Sequence, residues 1–436
     1  MKEKMNYSNK RKIILTGFFV FVISFCEINF LVAQDWAQTK IKNLQRVDLH
    51  YLGYKQVNEI PENSSAVTSL ITASDGNIYG GTTGEQAYLF FFDPKINKVR
   101  HLGKIEAEES VHHSLVEDKN GFIYIGTGLD MFKKIPISKG GIGKEGALEK
   151  SLWEDIKSYY KDYAGGKLYR YNPEISNNRV KLPDMRCDLE NIGIPVPQNG
   201  IYAMTINPDG DEIYGITYPD GHFFIYNIDS NEFSDLGTID EKIVFHGPER
   251  YWRSLSRALV CDDSGRVYMS STDGIVKYYC PETNKLVETD MKIPGDYYYI
   301  QFFEDYAVAE YFARSSTGLI YGGTSDGHLF SIDPDSMELV NYGKLRSSRR
   351  LRCLTIGSDD KVYIMAGERS ASRPCQFYCF NPKTGGFDDL GLLIADKSPH
   401  YYRRGQQFDA MTTGKDGTIY LGESERRSHL FQFIPK

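Results

Sequence analysis

The sequence predicts an all-β chain, a seven-bladed β-propeller of four-stranded antiparallel blades with one partly helical insertion in the second blade. Three observations carry that expectation. Variations on one pattern recur seven times: apolar strand, tight turn (Asx-Gly in four repeats), Ile-Tyr or Val-Tyr strand, polar loop and third strand, followed in four repeats by an Asp-Pro or Asn-Pro turn. In three repeats a fourth strand closes the unit on Leu-Gly. The period of ~40–50 residues is that of propeller blades. Asx-Gly between apolar runs also supplies the φ > 0 positions that a tight hairpin needs.

The elements follow in order. Lys2, Lys4, Lys10, Arg11 and Lys12 precede the apolar run IILTGFFVFVISF, and Leu31-Val32-Ala33 then offers small residues before Gln34. Residues 1–33 read as a secretory signal peptide, so a secreted or periplasmic location is expected. The run is too short and wrongly flanked for a membrane span. Cys26 follows bulky Phe25, which argues against lipidation. Residues 34–436 are expected to form one propeller domain. The stretch DLHYLGYKQV, around Val47 to Val57, is expected to supply the fourth strand that the last repeat lacks before Ile434-Pro435. The blades begin SLITASDG, HSLVEDKNG, YAMTINPDG, RALVCDDSG, FARSSTG, RCLTIGSDD and DAMTTGKDG. The insertion, over roughly residues 130–164, starts Gly- and Lys-rich. It then turns helical, with Leu148, Leu152, Ile156 and Tyr159 or Tyr160 on one face. A long loop there is expected to wall a binding site.

Composition bounds the function. The chain has 436 residues, 41% hydrophobic and 13% aromatic, enough to bury a sizeable core. A formal net charge of −7 argues against nucleic acid as a partner. After processing, six cysteines remain: Cys187, Cys261, Cys280, Cys353, Cys375 and Cys379. They lack the spacing of a disulfide scaffold or a zinc site and read as small buried hydrophobes, although a Cys353–Cys375 contact is conceivable.

In a propeller the blade-to-blade loops and the loops from second to third strand ring one mouth of the channel. Those loops carry His112 and His113, Tyr202, Tyr251, Arg253 and Arg257, Arg350 and Arg352, and Arg404. The second-to-third loops add Tyr218, His222, His328 and His429. An acidic protein thus gathers Arg, His and Tyr on one rim. Arginine forks suit carboxylate and sulfate, and aromatic faces suit sugar rings, so an anionic poly- or oligosaccharide is the expected partner. His222, His328 and His429 recur at one repeat position, which suggests a strand-starting role.

With a secretory signal and a His/Tyr/Arg-lined mouth, the chain resembles the seven-bladed propeller polysaccharide lyases that act on uronate polymers, notably the ulvan lyases. The resemblance implies His113 and Tyr202, which start consecutive blades, as the acid/base pair in either assignment, with Arg253 or Arg257 on a substrate carboxylate. His112 is the reserve for His113. On the second-to-third loop of the blade that Tyr202 starts, this chain offers Tyr218 and His222, and the rim adds Tyr251, Arg350 and Arg404 as expected substrate contacts. The reaction implied is β-elimination, or its dehydratase variant that removes water from a terminal uronate. No cofactor is required, and a monomer is expected. The sequence departs from the family where the long insertion replaces a loop that often carries another His. A noncatalytic propeller that binds glycans or a protein partner outside the cytoplasm is the alternative. Glycoside hydrolysis needs paired carboxylates, and Asp155, Glu304 and Asp305 form no clear pair.

Overall fold

The computed structural model describes residues 44–48, 60–130, 156–177, 184–240, 255–295, 307–345, 350–367, 375–395, 403–425 and 428–435. Seven four-stranded antiparallel sheets follow one another as blades of a propeller. In blades 1 to 6 the chain order of strands is the spatial order, from the inner strand outward. The inner strands of blades 1, 3, 5, 6 and 7 are Ala66–Thr72, Gly200–Ile206, Ala309–Arg314, Leu351–Ile356 and Phe408–Thr413. Those of blades 2 and 4 are shorter, Leu115–Glu117 and Val260–Cys261.

The ring closes on a strand from the opposite end of the chain, as expected, but from an earlier segment. Leu44–Asp48 pairs with His429–Phe433, Leu44 opposite Phe433 and Asp48 opposite His429. Most of the expected stretch, residues 49–57, lies outside the described residues, as does the signal segment. No helix among the described residues is long and apolar enough to cross a membrane.

The same residue types recur because each blade solves the same local problem. The hairpin turn needs φ > 0, supplied by Gly76, Gly121, Gly210, Gly265, Gly318 and Gly417, and by Asp360 in blade 6. A few residues later each second strand carries a buried tyrosine: Tyr79, Tyr124, Tyr214, Tyr268, Tyr321, Tyr363 and Tyr420. Several of these donate back to the turn, Tyr79 to Asp75 at 2.8 Å, Tyr268 to Asp262 at 3.2 Å and Tyr363 to Asp359 at 3.0 Å. The ring buries its apolar body while its hydroxyl locks the turn. Gly322 on a second strand lies under Phe330, whose ring would stand 2.2 Å from an added Cβ, and Gly80 lies under Phe90 in the same way at 2.1 Å.

The core is not central. The described buried side chains fall into seven apolar clusters, one in each boundary between successive blades. The channel is left for polar groups. All six described cysteines are free thiols, five of them buried.

Candidate functional site at the channel axis

Eight residues before the turn residue, on the inner strand or, in blades 2 and 4, just before it, each blade has an equivalent position: Thr68, His113, Tyr202, Arg257, Glu310, Arg352 and Asp409 in blades 1 to 7. In blades 1, 3, 5, 6 and 7 the pairing register shifts there, leaving Thr68, Tyr202, Glu310, Arg352 and Asp409 between ladder partners. A bulge re-aims the side chain it carries. His113 bridges Ala203 in parallel, so blades 2 and 3 are stitched together beside Tyr202.

These residues meet across the axis. Arg257 of blade 4 donates through Nη1 to Glu310 Oε2 of blade 5 at 2.9 Å. Its Nη2 lies 3.4 Å from His112 Nε2 of blade 2 and 3.5 Å from Asp409 Oδ1 of blade 7. Arg350 holds Glu310 in a fork, Nε to Oε1 at 2.9 Å and Nη2 to Oε2 at 2.6 Å. Arg352 Nη2 donates to Asp409 Oδ1. All five charged groups are buried, so they depend on one another for solvation.

The two imidazoles share this field. Burial, then the positive charge of Arg257, lowers the His112 pKa well below the ordinary value. The same two causes bring His113 down to about 3. Both rings are therefore neutral at ordinary pH. The His113 residue is half-buried as a whole, but its Nε2 is enclosed and has no hydrogen-bond partner among the described residues. His112 stands 4.8 Å from His113 and 4.9 Å from Tyr202, ring centre to ring centre, and His113 packs edge-on against Tyr311 at 5.4 Å. Burial raises the Tyr202 pKa above that of an ordinary phenol, against the pull of Arg257. Asp409 is buried, which alone would raise its pKa, but Arg352 and Arg257 hold it below the usual carboxylate range.

The insertion reaches this place. Residues 156–160 are helical, and Ile156 and Tyr160 are buried in the cluster that contains Tyr202 and Tyr218. Tyr160 contacts Tyr218 at 5.7 Å, and Tyr218 contacts Tyr202 at 5.7 Å. Tyr163 donates to buried Glu108 Oε2 at 3.0 Å, and Lys157 pairs with Asp220 at 3.0 Å. Leu148 and Leu152 of the expected apolar face lie outside the described residues.

The structure places several of the expected site residues differently. Arg257 and Arg350 were expected on an exposed rim; both are buried, because Glu310 and Asp409 supply the carboxylates that an interior guanidinium requires. His222 starts the third strand of its blade and binds Asp235 of the fourth strand at 2.9 Å, away from the axial cluster. His328 and His429 also start third strands. Arg404 lies on a two-residue strand whose backbone pairs with Ile394. Tyr251, Arg253, Asp155, Glu304 and Asp305 lie outside the described residues. The described part of the mouth beside blades 7, 1 and 2 is acidic rather than basic. There a cavity of about 580 Å³ is lined by Glu62, Glu85, Asp130 and Glu425 among others. Glu310 and Asp409 were missed. Counting back eight residues from each turn would have found both.

No family model matches the chain, and no curated protein matches it. Solved structures do. A streptogramin B lyase is 11% identical, with a TM-score of 0.59 over 90% of this chain and 97% of its own. A catalytically inactive His-to-Ala virginiamycin B lyase from Staphylococcus aureus, with quinupristin, is 9% identical, with a TM-score of 0.56 over 90% and 99%. The extracellular domain of a one-component system from B. thetaiotaomicron is 12% identical, with a TM-score of 0.53 over 89% of this chain and 40% of that one. At these identities the likenesses show the seven-bladed propeller fold, shared by proteins of different function.

Proposed function

We propose that the chain is a secreted or periplasmic carbohydrate-active lyase, a monomer, that acts by β-elimination on uronate-containing glycans, including removal of water from a terminal uronate. One observation carries this reading: His113, Tyr202 and Arg257 occupy the same position in three consecutive blades, and they converge on one polar cluster.

Elimination removes a weakly acidic proton α to a carboxylate, so it needs a base, an acid for the departing oxygen, and positive charge for the enediolate. The neutral His113 suits the base. Buried Tyr202, kept protonated, suits the acid. Its OH keeps its proton because burial disfavours the phenolate. His113 suits the base better than His112, whose Nε2 is already engaged with Arg257. A uronate carboxylate beside His113 would favour the imidazolium and raise its pKa, bringing the base toward working pH on binding. The acid limb of kcat should therefore lie at higher pH than that of kcat/KM; coincident limbs would count against His113. Arg257, Arg253 and Arg404 are assigned to acidic groups of the glycan, with Tyr218, Tyr251 and His112 around them. The insertion covers Tyr202 through Tyr218 and Tyr160 and sets whether chain ends or interiors are cut. The direct test is incubation with uronate oligosaccharides, read by the ultraviolet absorbance of the conjugated double bond that elimination leaves. No absorbance gain on any uronate glycan overturns the reading.

A noncatalytic glycan- or partner-binding propeller is the second reading. It is favoured by the complete burial of Tyr202 and by the internal pairing of Arg257 and Arg350. Binding without turnover would select it.

A further inference from the structure

The position that carries His113 in blade 2 carries an aspartate in blade 7. A carboxylate with no solvent contact is tolerable only if it is paired, and Asp409 has two guanidiniums on one oxygen. Arg352 comes from the neighbouring blade 6 and would neutralise it alone. Arg257 comes from blade 4, across the channel. Its guanidinium is thereby held on two sides, by Glu310 through Nη1 and by Asp409 through Nη2, while Nη2 also faces His112 Nε2. The Gln407 amide approaches the other Asp409 oxygen at 3.4 Å.

We propose that Asp409 is a positioning residue of the site: it reaches across the axis to fix the Arg257 guanidinium against His112 and beside His113 and Tyr202. This inference rests on the elimination reading above. The charged groups acting on His113 are Arg257, Arg352 and Asp409, with His112 and Tyr311 packed against its ring. A mere counter-ion to Arg352 would have no reason to touch Arg257. A positioning residue would act on turnover through Arg257 even when Arg352 no longer needs neutralising.

The test uses the full chain and three variants: Asp409→Asn, Asp409→Glu and the double change Asp409→Asn with Arg352→Gln. Asp409→Asn should lower kcat on a uronate oligosaccharide ~10–10²-fold, the effect of a displaced orienting group, with KM changed much less. Asp409→Glu should restore part of the rate. The double variant removes one buried charge of each sign, so it should regain the melting temperature lost by Asp409→Asn while its kcat stays low. Full recovery of kcat in the double variant, or an unchanged kcat in Asp409→Asn, overturns the proposal. If Asp409→Asn does not fold, the double variant alone decides. A crystal structure of the double variant gives an arm free of activity: Arg257 Nη2 should leave His112 Nε2, and an unmoved Arg257 overturns the proposal. Absence of elimination by the unmodified chain would sink the functional reading, whereas this crystallographic arm would still decide whether Asp409 places Arg257.

Discussion

Two positions recur in every blade, and they behave in opposite ways. The second-strand position is tyrosine seven times out of seven, buried each time. The inner-strand position is Thr, His, Tyr, Arg, Glu, Arg and Asp in turn. The blades share one backbone problem, so whatever solves that problem repeats. A position that diverges while its backbone stays equivalent is not set by the blade's own backbone; here Arg257, Glu310, Arg352 and Asp409 answer to one another across the axis. The tyrosine position is framework; the axial position is where the blades differ.

The comparison can be broken in order of expected effect. His113→Ala and Tyr202→Phe should each lower elimination ~10²–10⁴-fold, the usual cost of a lost proton-transfer group. Their melting temperatures should stay near that of the unmodified chain. Near-normal rates in both would make the axial divergence noncatalytic. Next, Glu310→Gln leaves Arg257 and Arg350 without their shared carboxylate; breaking a buried ion pair this way costs ~3–5 kcal/mol. Chemical denaturation that shows less than ~1 kcal/mol would mean the cluster is more hydrated than its burial implies. Gly322→Ala, in the framework, drives a Cβ into Phe330 and should cost ~1–3 kcal/mol with no change in ligand binding. The smallest effect belongs to Tyr363→Phe. It removes one hydroxyl from Asp359 and should cost ~0.5–1.5 kcal/mol by the same denaturation measurement.

The framework was legible in the sequence because its causes are local. Turn glycine, tyrosine and strand lie within a few residues of one another, so seven copies announce themselves. The closing strand was legible in kind but not in place, since nothing near Leu44–Asp48 marks its partner at the other end of the chain. The axial cluster was half legible. His113, Tyr202 and Arg257 stood out by residue type, but their surroundings did not. Arg257 reads as exposed until Glu310 and Asp409 are placed beside it, and those come from other blades, 53 and 152 residues further on. Periodicity is a short-range signal, and charge pairing across an axis is not.

The pairing of Leu44–Asp48 with His429–Phe433 has a consequence for how the molecule comes into being. Six blades are built from neighbouring hairpins and can form as their own residues become available. The seventh draws strands from both ends, so its loop closure spans nearly the whole chain and is entropically the slowest to satisfy. Asp409 belongs to that blade but sits on its inner strand, which pairs with Ile419–Glu423 rather than with Leu44–Asp48. Until that strand arrives, the outer edge of His429–Phe433 lacks its ladder partner, so the last blade is the one whose completion depends on both ends of the chain.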